Sequence, residues 1–263
     1  MTEAKVVEPL IYELSAPGRK GLSLPAPDVP KAKPPADLLR DCEALNLPEV
    51  SEVDVVRHFV RLSQLNHGVD TGFYPLGSCT MKYNPKINED AACLAGFAHI
   101  HPLQDPRQVQ GALALMWHLH QWLAEISGMA GVSLQPAAGA HGELSGTLIM
   151  RKYHLDRGDT RRTKILVPDS AHGTNPASTA MSGLKVVELP SDEQGDVNLD
   201  ALRATCDETV VGMMLTVPNT LGLFERRVER IVEIVHGCGG LMYMDGANLN
   251  ALMGIVKPGD LAF

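Results

Sequence analysis

Four short apolar runs, separated by segments of helix length, constrain the fold of this chain more than any other feature. They are "KILVPD" (164–169), "KVVELP" (185–190), "VVGMMLTVP" (210–218) and "LMYMD" (241–245). Between and before them lie "ELSGTLIMRKYHLDRG", "NPASTAMSGL", "NLDALRATCDE" and "RRVERIVEIVHGCG", each with helical spacing of apolar residues. Strands that alternate with helices of about a dozen residues predict βαβ units and a mostly parallel sheet. The rest of the chain is less regular. Residues 15–36 hold six of the eighteen prolines and read as an extended arm. "SEVDVVRHFVRLSQLN" (51–66) reads as a helix capped by Ser51, and the segment 105–128, from an Asp-Pro start to a glycine stop, as one long helix. The expected division is residues 1–104 (arm, helical segment and a loop at 72–85) and 105–263 (the α/β domain). "GIVKPGDLAF" ends where another strand could begin, so the sheet is expected to be incomplete at the C-terminus.

Composition excludes several classes. A net charge of −8 without a basic block lacks the footprint of a nucleic-acid binder. No apolar run approaches the roughly 20 residues that cross a bilayer, and the N-terminus lacks the apolar core of a signal peptide. Five scattered cysteines, odd in number and without a C-x-x-C pair, argue against a disulfide framework or a structural zinc site, and a reducing cytoplasm fits best. Two H-x-H pairs, His99/His101 and His118/His120, have a spacing that can ligate metals. Residues i and i+2 of a helix diverge, so the second pair reads as structural, and packing is the favoured role of the first.

In open α/β sheets ligands sit at the carboxyl ends of the strands. Four stretches fall there. "QPAAGAHGE" (135–143) carries small residues into a helix start, where free N–H groups favour a phosphate; a tight packing turn is the equal alternative. It matches neither the P-loop nor the G-x-G-x-x-G pattern. "DSAHGTNPAS" (169–178) groups His172, Thr174 and Asn175, although Asn175 could simply cap the helix that Pro176 opens. "VPNTLG" (217–222) offers Asn219 and Thr220, ordinary turn residues. The last is Asp245, at the end of its strand. A phosphate cradle, a nearby histidine and a carboxylate together suit a ligand with an anionic tail and a cationic ring, as in pyridoxal phosphate.

The strings "YPLGSCTMKYNPK", "QPAAGAHGELSG", "PDSAHGTNPASTAMSG", "PNTLGLFE" and "MDGANLNALMG" closely resemble glycine dehydrogenase (decarboxylating), the P-protein of the glycine cleavage system. The opening "PLIYELSAPGRKGLSLP" resembles subunit 2 of its two-chain form. The resemblance implies the type I fold of pyridoxal-phosphate enzymes. It also implies an oxidoreductase that decarboxylates glycine and passes the aminomethyl group to the lipoyl arm of the H-protein, in a hetero-oligomer with subunit 1. By motif, Gly139 and Ala140 would offer N–H groups to the cofactor phosphate. His141 would lie on the ring face and Ala247 on the other; Thr174, Asn175 and Asn219 would surround the ring, with Asn219 near its phenolic oxygen; Asp245 would bond the ring nitrogen. Ser78, Thr80, Lys82 and Tyr83 would face the site from the 72–85 loop, which also holds Cys79. Two departures stand out. Val217 replaces an asparagine common in the family. The lysine that binds the cofactor, in a segment like "HKTF", is absent, and Lys257 does not replace it, so a chain truncated before its covalent anchor, inactive alone, is expected. The competing readings are another type I enzyme (a cysteine desulfurase or an aminotransferase), a non-catalytic partner subunit, and a gene fragment.

Overall fold

The computed structural model describes residues 7–30, 32–39, 45–72, 83–247 and 249–263. The chain divides into two compact units, residues 1–75 and 76–263, each described by itself. Residues 83–104, grouped with the arm on sequence, fall in the second unit.

In the first unit, helix α1 (Glu52–Gln64) starts where the sequence predicts. The Ser51 hydroxyl accepts from the Asp54 N–H and donates to its carboxylate, satisfying one of the free amides of the first turn. Among the described residues the arm has no helix or strand before a 3-10 turn at Ala36–Leu38. It is tied down locally. The Ala16 N–H donates to the Glu49 carbonyl (2.9 Å), and Glu8 accepts from Arg61 Nε and Nη2 (2.8 Å each) while facing the buried His58 (3.1 Å).

The second unit opens with two short helices, α2 (Lys86–Ala92) and α3 (Ala95–Ala98), over residues for which the sequence predicts no element. The helix expected over 105–128 is interrupted at its start. Asp105 caps a 3-10 turn (Pro106–Gln108), Val109 leaves helical geometry, and α4 (Gln110–Ser127) begins after it, closing on Gly128 at φ +71°. The α/β region then follows the predicted order: α5 (Gly139–Asp156), β1 (Lys164–Pro168), α6 (Thr174–Met181), β2 (Lys185–Leu189), α7 (Leu199–Thr205), β3 (Val210–Thr216), α8 (Val228–Gly237) and β4 (Leu241–Asp245). The strands pair in parallel in the order β2-β1-β3-β4.

Each face of the sheet has its own core. Leu166, Val210, Met213 and Leu215 pack with Leu202 of α7 and with Val228, Ile231 and Val235 of α8. Ile165, Val167, Val211 and Met214 pack with Met150 of α5 and with Leu184. Strand alternation explains this division, with one irregularity. Lys164 pairs with Val210 but Ile165 with Gly212, so the register slips at Val211–Gly212, and Val210 and Met213 reach the same face across the bulge. Gly212 is also a close approach, since a side chain there would collide with the Leu241 carbonyl and the Met150 sulfur.

The chain leaves β1 for β2 on one side and returns to β3 on the other. That reversal between β1 and β3 is a topological switch point, and it opens a crevice at the carboxyl ends of the strands. The residues after β1, β3 and β4 line that end.

Candidate functional site

Asp245 is the last residue of β4 and is 5% exposed. Parallel pairing sets it beside Thr216, the last residue of β3, whose hydroxyl donates to Asp245 Oδ2 (3.4 Å). The Ala247 N–H donates to Oδ1 (3.2 Å). A third donor comes from α6. With its amide nitrogen turned toward the carboxylates, Asn175 donates to Asp245 Oδ2 (3.2 Å) and to Glu143 Oε2 (3.1 Å). Asn175 is therefore not a cap. It lies inside the first turn of α6, fully buried, and Gly173 holds the cap position.

Glu143 lies one turn inside α5 and is 4% exposed. Burial, and then the charge of Asp245, push its pKa up to about 6, while His172 opposes the shift. His172 Nδ1 stands 3.6 Å from Glu143 Oε1, beyond a hydrogen bond, and this buried nitrogen has no partner among the described residues. Glu143, His172 and Asp245 bring ligand atoms within 4.8 Å of one another, a spacing a metal could bridge. The Asn175 amide nitrogen facing both carboxylates supplies that positive edge without one. Neither H-x-H pair joins such a group among the described residues.

The start of α5 is open. Ala138 caps it without a side-chain hydrogen bond, residues 137–141 are exposed, and a side chain at Gly139 would meet nothing. First-turn amides have no intrahelical acceptor, and the helix dipole adds positive potential, so the Gly139 and Ala140 N–H groups suit an anion. Four residues of helix separate Gly139 from Glu143, about 6 Å along the axis. The open helix start and the buried Glu143 thus stand on successive turns of α5, and Asn175 links Glu143 to Asp245. The donor set fits pyridoxal phosphate, with amides for the phosphate and a carboxylate for the ring nitrogen.

The other candidates differ in what they touch. His141 is exposed on the first turn of α5, and its carbonyl accepts from Ser145 Oγ (2.6 Å). Thr174 is the first residue of α6 and half-buried. Asn219 is buried, and its side-chain oxygen accepts from the Leu221 and Leu223 N–H groups (3.0 Å each), shaping the turn that follows the cis Val217–Pro218 bond. Thr220 donates to the Ser170 carbonyl (2.7 Å), tying that turn to the loop of His172. Tyr83 is exposed, with the Lys86 ammonium 5.8 Å from its ring centroid. Ser78, Thr80, Lys82 and Cys79 lie outside the described residues.

The sequence alone did not single out Glu143. Its signal is positional. Glu143, Thr147, Met150 and His154 form the buried stripe of α5, and a carboxylate on a buried stripe needs a reason. His172 was grouped on sequence with Thr174 and Asn175, but only the fold brings it to the carboxylates.

No protein-family model matches the chain. Its relatives include proteins of Pyrococcus horikoshii (61% identical over 263 residues) and Pyrococcus abyssi (60% over 263), each covering 99% of this chain and 52% of the relative. A third, from Alkaliphilus oremlandii, is 57% identical over 258 residues, 97% of this chain and 53% of the relative. All three carry the name probable glycine dehydrogenase (decarboxylating) subunit 2. The chain is homologous to glycine dehydrogenase (decarboxylating) subunit 2. It spans about half the length of those subunit 2 relatives.

Solved structures agree on the fold. Glycine decarboxylase (P-protein) of the glycine cleavage system, in inhibitor-bound form, aligns over 87% of this chain and 50% of its own, with a TM-score of 0.65 at 23% identity. A sphingosine-1-phosphate lyase of Burkholderia pseudomallei K96243 aligns over 80% of this chain and 50% of its own, with a TM-score of 0.55 at 17% identity. The chain has the type I fold of pyridoxal-phosphate enzymes. Among the described residues no helix is long and apolar enough to cross a membrane.

Proposed function

We propose that this chain supplies a pyridoxal-phosphate site to a glycine dehydrogenase (decarboxylating). The substrate would be glycine, the acceptor of the aminomethyl group the lipoyl arm of an H-protein, and the assembly a hetero-oligomer with a subunit 1. The observation that carries the reading is the buried Asp245 carboxylate at the crevice, held by three donors and linked through Asn175 to Glu143 of α5, the helix whose start is open. The names of the subunit 2 relatives supply the reaction and the second subunit.

When bound, the cofactor would act as an electron sink for the pair released as carbon dioxide leaves. The Gly139 and Ala140 N–H groups would hold its phosphate. Asp245 would accept a hydrogen bond from the ring nitrogen and keep that nitrogen protonated, because a nearby negative charge favours the cationic form. Thr216, Asn175 and the Ala247 N–H keep the carboxylate aimed. We assign the ring face to His172, whose imidazole adjoins the carboxylates, and the phosphate end to His141, on the first turn of α5. Ala247 would pack on the opposite face, Thr174 beside the ring, and Asn219 would shape the rim of the crevice. Tyr83 would stand toward the entrance, as the family motif implies.

Asp245→Asn tests the reading in the intact protein. It should keep part of its pyridoxal phosphate but exchange the glycine carboxyl with bicarbonate at least about a hundredfold more slowly, as expected when one preorganised electrostatic partner is removed. Near-normal exchange by the variant would end the assignment.

A further inference from the structure

Glu143 lies behind the two groups that would face the cofactor, and it reaches both. Its Oε2 accepts from the Asn175 amide, which also donates to Asp245, and its Oε1 stands 3.6 Å from the partnerless Nδ1 of His172. We propose that Glu143 is a positioning residue of this site: one oxygen fixes the plane of the His172 ring and the nitrogen that carries its proton, and the other, through Asn175, fixes the rotamer of Asp245.

The chemistry follows from the hydrogen-bonding inventory. A small rotation of the imidazole brings Nδ1 into bonding range of Oε1. An ionised Glu143 can only accept, so it selects the form of His172 with a proton on Nδ1 and leaves Nε2 free. Asn175 supplies two hydrogens from one nitrogen, and both carboxylates use that nitrogen, so turning its amide would break both bonds at once. The charged and titratable groups facing Glu143 are Asp245 and Tyr243 from β4 and His172 from the loop before α6. Burial, and then the charge of Asp245, raise its pKa to about 6, so it is ionised at neutral pH and protonated below about 6. A protonated carboxyl would donate to Nδ1 instead and reverse the tautomer.

The structural half of this proposal stands alone; its consequence for the cofactor rests on the function proposed above. Glu143→Gln keeps the size and can keep its oxygen on the Asn175 amide, but its NH2 group then faces His172 and donates to Nδ1, which fixes the imidazole proton on Nε2. The variant is compared with His172→Asn and the double variant in the intact, natively assembled protein. In 15N NMR of the cofactor-free protein at neutral pH, the His172 proton should sit on Nδ1 in the wild type and move to Nε2 in E143Q. The dissociation constant for pyridoxal phosphate should rise about tenfold in E143Q but less than about twofold when Glu143→Gln is added to H172N, because residues that act as a unit do not add.

The same His172 tautomer in E143Q as in the wild type would overturn the proposal. So would an equal loss of affinity in both backgrounds, which marks a role in stability alone. If the wild-type protein takes up no pyridoxal phosphate, the cofactor reading fails, and the tautomer comparison still decides what Glu143 positions. Should E143Q not fold, Glu143→Asp replaces it with the same expected directions, since a shorter carboxylate cannot span both partners.

Discussion

At the residue scale, ionisation of Glu143 has a measurable cost. Its pKa in the fold is raised to about 6 from 4.5, mainly by burial, so the fold binds its proton more tightly than the unfolded chain does. The stabilisation is complete below pH 4.5 and is lost as the pH rises through about 6. One and a half pKa units correspond to about 2 kcal/mol. Denaturant unfolding from pH 4.5 to 7 should show the wild type losing about that much relative to Glu143→Gln, and parallel curves would contradict it. The two histidines also separate here. His172→Ala should raise the dissociation constant for pyridoxal phosphate more than His141→Ala does; the reverse order in an equilibrium titration would return the ring face to His141. Asp245 was legible in the sequence because a strand end and a carboxylate are both one-dimensional signals. Glu143 was not, because its importance comes from facing β4 across the interior, a distance that no local pattern encodes.

At the element scale, the four strands and the helices between them were readable because each carries its own periodicity and its own stop. Asn198, for example, announces α7 and caps it, accepting from the Asp200 and Ala201 N–H groups (3.0 Å each). Asn198→Ala should cost about 1 kcal/mol in chemical denaturation. What the sequence misplaced were junctions. The Asp105-Pro106 start satisfies a 3-10 turn as well as an α-helix, and the bulge at Val211–Gly212 depends on what the neighbouring strand presents. Gly212→Ala should destabilise the sheet by several times more than the cap variant does, since its Cβ has no room against β4. The cysteines make the same point. Cys206 and Cys238, the residues that close α7 and α8, are 32 apart in sequence yet neighbours in the fold. The Cys206 thiol, the Gly240 N–H and the Arg162 guanidinium bring Cys238 down to about 6, while Cys206 is pushed up. At pH 7 iodoacetamide should therefore label Cys238 before Cys206; the reverse order by peptide mapping would contradict that ionisation.

At the scale of the whole molecule, the second unit keeps much apolar surface in contact with water. None of the residues of α4 is buried, and Leu115, Met116, Trp117 and Trp122 are exposed. A helix that is apolar on several sides is normally covered on several sides. If the hetero-oligomer proposed above forms, the tryptophan emission of this chain should shift to the blue when subunit 1 is added, and a Trp117→Phe/Trp122→Phe variant should lose most of that change. The glycine stop of α4 and its apolar composition could be read from the sequence; the identity of what covers it could not, because that information lies in another surface.

The geometry of the crevice turns on a missing methyl group. A Cβ at Gly146 would run into the Tyr243 ring, so α5 can lie close on β4 only because residue 146 has no side chain. Gly146 works as a spacer of zero thickness: it sets how far the helix start stands from the strand that bears Asp245. A bulkier residue at 146 would lever the start of α5 away from the strand that ends in Asp245.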